Sequence, residues 1–171
     1  MTYYHDEALL KECMWAVSNI AAGTVEHVRS LLESPLVDIA IDNLTSAGKK
    51  VKKESMWVVS NITSNCIYDI TEYVVNKGVI LKVCNLLETD GQYDSLTIVC
   101  LEALKNIIRS GNIISQQGEV NPFKAEFEKY GGVDIVTKLE GHQMKEIAEL
   151  AEEVLVAFNK IEEVLNGGEN I

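Results

Sequence analysis

The main evidence for the fold is a ten-residue segment that occurs twice with two changes. The copies are Lys11-Glu-Cys-Met-Trp-Ala-Val-Ser-Asn-Ile20 and Lys53-Glu-Ser-Met-Trp-Val-Val-Ser-Asn-Ile62. The two copies share the pattern Lys-Glu-x-Met-Trp-x-Val-Ser-Asn and lie 42 residues apart. Self-similarity at a period of about 20 to 50 residues is typical of repeat proteins. The sequence therefore predicts stacked copies of one structural unit.

The apolar positions around this motif occur four times, with spacings of 4, 3, 1 and 3 residues that mark one face of a helix. Successive copies are offset by 42, 45 and 51 residues. We expect each set to form the buried face of one long helix. The sets are Leu9, Cys13, Ala16, Val17 and Ile20; Val51, Ser55, Val58, Val59 and Ile62; Leu96, Cys100, Ala103, Leu104 and Ile107; and Ile147, Ala151, Val154, Leu155 and Phe158.

Two shorter helical segments precede each later long helix, separated by Gly or Pro. The polar stretch from Ser110 to Val120 lacks periodicity and is predicted to be a surface loop that lengthens one repeat. Three helices per period of about 40 to 47 residues is typical of armadillo and HEAT solenoids, and no clear strand pattern appears. The short helices are expected at residues 25–33, 35–44, 67–76, 79–88, 122–130 and 133–139.

The composition is that of a globular protein, with 171 residues, 47% of them apolar, and a formal net charge of −11. This charge disfavours nucleic acid and anionic membranes as partners and suits a cationic one, although acidity can also serve solubility alone. No signal peptide, transit peptide or membrane-spanning run is apparent. The predicted compartment is the cytosol or the nucleus, where the four widely spaced cysteines would be reduced core thiols: Cys13, Cys66, Cys84 and Cys100.

A second set of positions on the long helices lies beside the apolar face. Residues four apart share a helix face, so each Trp has an Asn one turn along the same ridge, and stacking aligns the ridges into a concave surface. A slot between two Trp rings can accept the stem of a Lys or Arg, while Asn can hold the backbone of an extended peptide and nearby Glu can meet the cationic head. The two columns read Trp15, Trp57, Glu102 and Glu153, then Asn19, Asn61, Asn106 and Ala157, with Glu12 and Glu54 three residues before each Trp.

Plainer interpretations stand beside this one. A Trp at helical spacing is usually a core residue, although here the five apolar positions already account for the buried face. An Asn ladder can instead bridge adjacent helices, above all at Asn106, which has no Trp partner. A scaffold for an acidic or apolar partner would need a basic groove, whereas the column of Glu side chains predicts an acidic one. Catalysis is not indicated, because no nucleophile or paired carboxylates accompany the three histidines, and no phosphate loop or cofactor motif is present: His5, His27 and His142.

These segments resemble the C-terminal part of importin-alpha, over nearly the whole chain. The resemblance is carried by the two Trp motifs, by Val99-Cys-Leu-Glu-Ala-Leu-Lys-Asn-Ile107 and by Asn121-Pro122. It implies an all-α, right-handed armadillo superhelix of about three and a half repeats. The expected domain covers residues 1–166, with a partial repeat at 3–22, repeats at about 24–64, 66–110 and 121–165, and a flexible tail at 167–171.

The resemblance also implies a function, that of an adaptor reading basic nuclear localisation signals of cargo proteins in the cytoplasm and nucleus, with no cofactor. It assigns Trp15, Asn19, Glu54, Trp57 and Asn61 to the minor signal site, with Ser18 lining the next Lys pocket. The segment that binds importin-beta and the major signal site are expected to lie outside this sequence. An export receptor could contact the last repeats through exposed acids: Glu146, Glu149 and Glu153.

Overall fold

The structure, a computed structural model, describes residues 6–115 and 120–160. Within these ranges the chain is all-α, with ten helices and no strand. The predicted tail at 167–171 and the end of the last repeat lie outside the described residues. The helices are α1 (Glu7–Ala21), α2 (Val25–Leu32), α3 (Leu36–Ser46), α4 (Lys49–Thr63), α5 (Tyr68–Asn76), α6 (Val79–Asp90), α7 (Asp94–Ser115), α8 (Pro122–Lys129), α9 (Gly132–Leu139) and α10 (Lys145–Asn159).

The helices form three-helix repeats, as the sequence predicts. Helices α2 to α4, α5 to α7 and α8 to α10 each comprise two short helices and one long helix, and α1 is a further long helix ahead of them. The long helices stack side by side in the order α1, α4, α7, α10. Gly78 and Gly131 occupy the same place in successive repeats, between the two short helices, with φ of 77° and 71° that side chains disfavour.

The core lies between the long helices and the short helices of the same and the next repeat. In α4, α7 and α10 every predicted core position is buried except Phe158, which is partly exposed. A further column is also fully buried, because each long helix packs laterally against its neighbours. That column consists of Met14, Met56 and Leu101.

The first long helix differs from the other three, because four of its five apolar positions are exposed. Only Val17 is buried, whereas Leu9 and Ile20 are 62% and 46% exposed, and Cys13 and Ala16 are exposed as well. Helix α1 packs mainly on α4 and more lightly on α2, so its buried face is rotated toward α4. That face consists of Met14, Val17, Ser18 and Ala21.

The predicted surface loop from Ser110 to Val120 is wrong as far as Ser115, and residues 116–119 of it lie outside the described residues. Helix α7 continues to Ser115 and is 22 residues long, and Ser110, Gly111 and Ser115 are buried. The polar residues that hid the helical periodicity are small, and they let Asn121 pack closely against α7. Polarity here reflects close packing between helices instead of exposure.

The cysteines are all free, but they are not all core residues. Cys84 and Cys100 are buried, Cys66 is partly buried, and Cys13 is exposed, which corrects its expected place in the core. No helix in the described part of the chain is long and apolar enough to cross a membrane.

Candidate peptide-binding groove

The two Trp-bearing long helices, α1 and α4, pack directly against each other, so their matching ridges are neighbours. The Trp15 side chain is 54% exposed, and Trp57 is partly buried against the core. Exposure of about half of a large aromatic residue is a cost unless a partner covers it. We call this ridge pair, Trp15 and Asn19 with Trp57 and Asn61, the Trp–Asn groove.

The two Asn side chains are held by hydrogen bonds within the protein. Asn19 Nδ2 donates to the carbonyl oxygen of Trp15 at 3.0 Å, and Asn61 Nδ2 donates across to the carbonyl oxygen of Ser18 at 2.9 Å. A carboxamide has two N–H donors and one acceptor oxygen, so each retains one donor and its oxygen for another partner. Asn61 therefore links the two long helices and remains able to bind a peptide backbone.

Ser18 lies beneath this groove, with 6% of its surface exposed. Its Oγ donates to the carbonyl oxygen of Trp15 at 2.8 Å, and its own carbonyl oxygen receives the Asn61 bond. The side chain therefore fixes the backbone that carries the groove and presents little surface to a ligand.

The two carboxylates next to the Trp residues differ in their surroundings. Glu12 is exposed and pairs with Lys11 at 2.7 Å, whereas Glu54 is only 8% exposed and lies 3.8 Å from the Lys53 ammonium. The Lys11 ammonium donates a hydrogen bond to Glu12, and this bond is the main reason that the pKa of Lys11 is raised. A cationic ligand would therefore compete with the protein's own lysines for these carboxylates.

Of the next two residues in the Trp column, Glu153 is partly neutralised by ion pairs, whereas Glu102 has none among the described residues. Glu102 and Asn106 are partly buried, and neither side chain has an ion pair or hydrogen bond within residues 6–115 and 120–160. Glu153 pairs with Lys105 at 2.9 Å and lies 3.9 Å from Arg109, and the Lys105 hydrogen bond lowers the pKa of Glu153. The sequence predicts an acidic surface along this column, but the lysine and arginine that reduce its charge come from the adjacent helix α7.

A cleft with a volume of about 540 Å³ lies between α7 and α10, where α7 extends past Asn106. Asn112 Nδ2 donates to the carbonyl oxygen of Ala157 at 2.9 Å, so a second Asn bridges neighbouring long helices in the way that Asn61 does. Comparison of the repeats in sequence does not identify Asn112, because the sequence predicts a loop in this part of α7.

A second cleft, of about 610 Å³, lies at the opposite ends of the long helices, where α4 begins. The lysines of this cleft and Tyr93 were not singled out from the sequence. The run Lys49-Lys-Val-Lys-Lys53 could have indicated a basic surface here. Glu54 lines this cleft and lies three residues before Trp57 on α4, so the cleft adjoins the Trp–Asn groove. We call it the lysine cleft and define it by Lys11, Lys49, Lys50, Lys53, Glu54 and Tyr93.

Among the described residues, no group of three or more His, Cys, Asp or Glu side chains is arranged to hold a metal ion. The arrangement on the long helices offers aromatic faces, carboxamides and charged groups. These suit recognition of an extended chain.

Comparison with curated proteins gives relatives of one kind. The chain is 32% identical to importin subunit alpha-4 of Arabidopsis thaliana over 176 aligned residues, covering 99% of this chain and 32% of that protein. It is 31% identical to importin subunit alpha-2 of the same plant over 93 residues, covering 53% of this chain and 17% of that protein. The chain thus spans about a third or less of the length of these relatives. No family model matches.

Solved structures with the same architecture establish the armadillo fold. A designed armadillo repeat protein in complex with the peptide (KR)4 has a TM-score of 0.77 and 24% identity, covering 92% of this chain and 61% of that one. Computationally designed armadillo repeat proteins for modular peptide recognition give a TM-score of 0.77 at 23% identity, covering 88% and 58%. At these identities the likeness concerns the fold.

Proposed function

Because this chain is an importin-alpha-like armadillo-repeat region, we propose that it binds extended, basic peptides of the nuclear-localisation-signal kind in the Trp–Asn groove. The single observation that carries the proposal is the exposed Trp15 on α1, beside the partly exposed Trp57 on the adjacent α4. The stem of a Lys or Arg between two indole faces gains apolar contact and cation–π attraction of about 0.5 to 2 kcal/mol.

The backbone of the ligand would be held by the free donor and acceptor of Asn19 and Asn61. An extended peptide offers unpaired N–H and C=O groups, and each carboxamide can satisfy one of each. The internal bonds of both Asn side chains restrict their rotation, so less side-chain entropy is lost on binding.

The cationic head of the ligand would meet Glu54, with Glu12 nearby. Because Glu54 is nearly buried, its attraction for a cation is less screened than that of an exposed carboxylate. Lys53 lies at 3.8 Å, longer than a direct hydrogen bond, so a ligand cation could bind without breaking a strong existing contact. We assign weaker roles in peptide binding to Glu102 and Asn106, because α7 carries no Trp beside them. Ser18 has a positioning role.

For the whole protein, the proposal implies an adaptor of nuclear protein import that acts in the cytoplasm and the nucleus. Its partners would be the basic signals of cargo proteins, importin-beta through another segment, and an export receptor at the last repeats. Of the acids expected to contact that receptor, Glu149 pairs with Lys145 and Glu153 with Lys105, and Glu146 is exposed without an ion pair in the described residues.

The test is isothermal titration with a basic peptide and with the same peptide carrying Lys-to-Ala replacements. We expect Trp57→Ala, which removes one wall of the slot, and Glu54→Arg, which places like charge at the cation site, each to weaken binding by about 1 to 3 kcal/mol. Asn106→Ala should weaken it less.

Glu128→Arg is the matched charge control, because Glu128 is exposed on α8, away from the long-helix ridges. It changes the net charge as Glu54→Arg does and should leave affinity nearly unaltered. Unchanged affinity in folded Trp57→Ala and Glu54→Arg would show that the peptide does not occupy this groove.

A further inference from the structure

Basic residues are concentrated at one place in this acidic protein. The sequence has 15 Lys and Arg against 26 Asp and Glu, yet four of the five residues from Lys49 to Lys53 are lysines. Three of them line the lysine cleft, and Lys11 reaches it from α1. Local potential depends on such placement more than on net charge, so this cleft differs in sign from the molecule as a whole.

The positive charge of the cleft is only partly balanced. Lys11 pairs with Glu12, and Lys53 lies 3.8 Å from Glu54. The Lys49 ammonium sits 3.5 Å above the Tyr93 ring, an attraction that leaves its charge in place. Lys50 is exposed and has no acidic partner among the residues that the structure describes. The Glu7 carboxylate of α1 lies against Gly48, next to Lys49 in the chain. Four lysines therefore face three acids, Glu7, Glu12 and Glu54, and the cleft retains a small excess of positive charge.

Stability of α4 does not account for these lysines. The first turn of this helix holds Lys49 and Lys50 and no acidic residue of its own, and positive charge at a helix N-terminus opposes the helix dipole. The Glu7 carboxylate beside the N-cap residue Gly48 offsets only part of this charge, because it is one acid against two lysines. Lys52 has a structural role, because its ammonium bonds to Asp90 at 2.9 Å in a largely buried pair, but the cleft-lining lysines have no comparable partner. A residue pattern that costs local stability is often explained by function.

We propose that the lysine cleft receives an acidic side chain, a carboxylate or a phosphate, of the same extended peptide whose basic side chain lies in the Trp–Asn groove. This rests on the proposed function and adds a second specificity element to it, so that the preferred ligand carries both charges. Glu54, which lines the cleft and lies three residues before Trp57 on α4, would then separate the two sites.

The distance along the helix sets the spacing of the two charges. Lys50 precedes Trp57 by seven positions, which is about 10 Å along the axis at about 1.5 Å per residue. The peptide core crosses from α1 to α4, and a flank that then runs parallel to α4 covers that distance in about three residues at about 3.3 Å each. The acidic residue is therefore expected within about three residues of the basic one. A long polyanion is disfavoured, because the protein as a whole carries a net charge of −11.

The test is fluorescence anisotropy with four labelled peptides of one length: a basic core, the same core with Glu flanks, the core with phosphoserine flanks, and an acidic peptide without the core. We expect the better flanked peptide to bind about threefold to tenfold more tightly than the core, the range for one or two partly exposed ion pairs. Lys50→Glu should abolish this gain. Lys138→Glu, the same charge change at an exposed position on α9, should preserve it.

Equal affinity of the core and both flanked peptides would overturn the inference while leaving the proposed function intact. So would a flank gain that survives Lys50→Glu. If the basic core does not bind, the proposed function is wrong, and the acidic peptide tests the lysine cleft separately. Binding of the acidic peptide that depends on Lys50 would support an anion site in the cleft, and no binding would overturn it. Lys50-dependent binding of a short single-stranded DNA, with no gain from acidic flanks, would also overturn the inference.

Discussion

At the scale of single residues, Asn61 shows how one side chain can serve both packing and recognition. The sequence left two interpretations of the Asn ladder open, bridging of adjacent helices and binding of a peptide backbone. One N–H of Asn61 bridges to α1, and the other N–H and the oxygen remain available. The two interpretations are therefore compatible, because a carboxamide has more hydrogen-bonding groups than the bridge uses.

Thiol reactivity should also differ from residue to residue. Burial raises the pKa of the Cys84 thiol to about 12 and raises the pKa of Cys100 as well, so both stay protonated near neutral pH, and the thiolate is the reactive species. We expect iodoacetamide at pH 8 to label the exposed Cys13 first and Cys66 more slowly, as measured by peptide mass spectrometry. Cys84 and Cys100 should react only after unfolding in urea, and their rapid labelling in the native protein would contradict the described packing.

At the scale of elements, Asn121 fixes the junction between α7 and α8. It is 1% exposed, its Oδ1 accepts from the Phe123 N–H at 2.9 Å, and its Nδ2 donates to the Ile108 carbonyl oxygen at 3.0 Å. Pro122 follows at the first helical position, where its missing N–H costs nothing. The Asn121-Pro122 pair therefore starts α8 and attaches it to the preceding repeat.

The close approach at this junction requires Gly111. A Cβ at position 111 would collide with the Asn121 carboxamide, which cannot move without losing its buried hydrogen bonds. We expect Gly111→Ala to lower the free energy of unfolding by about 1 to 3 kcal/mol, as overpacking does, although Ala favours helices by about 1 kcal/mol. Urea denaturation followed by circular dichroism measures this.

Gly141→Ala is the matched control, because a Cβ there meets nothing within 4 Å. Its unfolding free energy should be nearly unchanged. Stabilisation by Gly111→Ala would mean that helix propensity outweighs packing, and that Asn121 is not held against α7.

At the scale of the whole molecule, α1 exposes an apolar face that the stacked repeats do not cover. Leu9 and Ile20 are 62% and 46% exposed, and solenoids need polar end surfaces for solubility. We expect the isolated chain to self-associate weakly at high concentration, as measured by sedimentation velocity. Leu9→Glu combined with Ile20→Lys should reduce this association without changing net charge. A wild-type chain that stays monomeric with α1 ordered would contradict the expectation.

The amino-acid sequence alone was enough to predict the repeat, the helix order and the register of the core in α4, α7 and α10. It could do so because identical apolar spacings at a nearly constant offset leave one helix face for burial, and the Trp and Asn positions then fall beside that face. The period and the number of helices left armadillo and HEAT solenoids as alternatives, and the resemblance to importin-alpha favoured the armadillo architecture. The solved structures of that fold confirm it.

The three-dimensional packing was needed to assign the ion pairs and to recognise the helical residues at the end of α7. Ion pairs such as Lys105 with Glu153 join residues 48 apart, and Lys52 with Asp90 joins residues 38 apart, so sequence pattern alone cannot assign them. The helical residues from Ser110 to Ser115 looked like a loop because their small side chains allow a neighbouring segment to pack closely. Burial of a face, as α1 shows, depends on which neighbours are present in space, and a helix-face pattern does not contain that information.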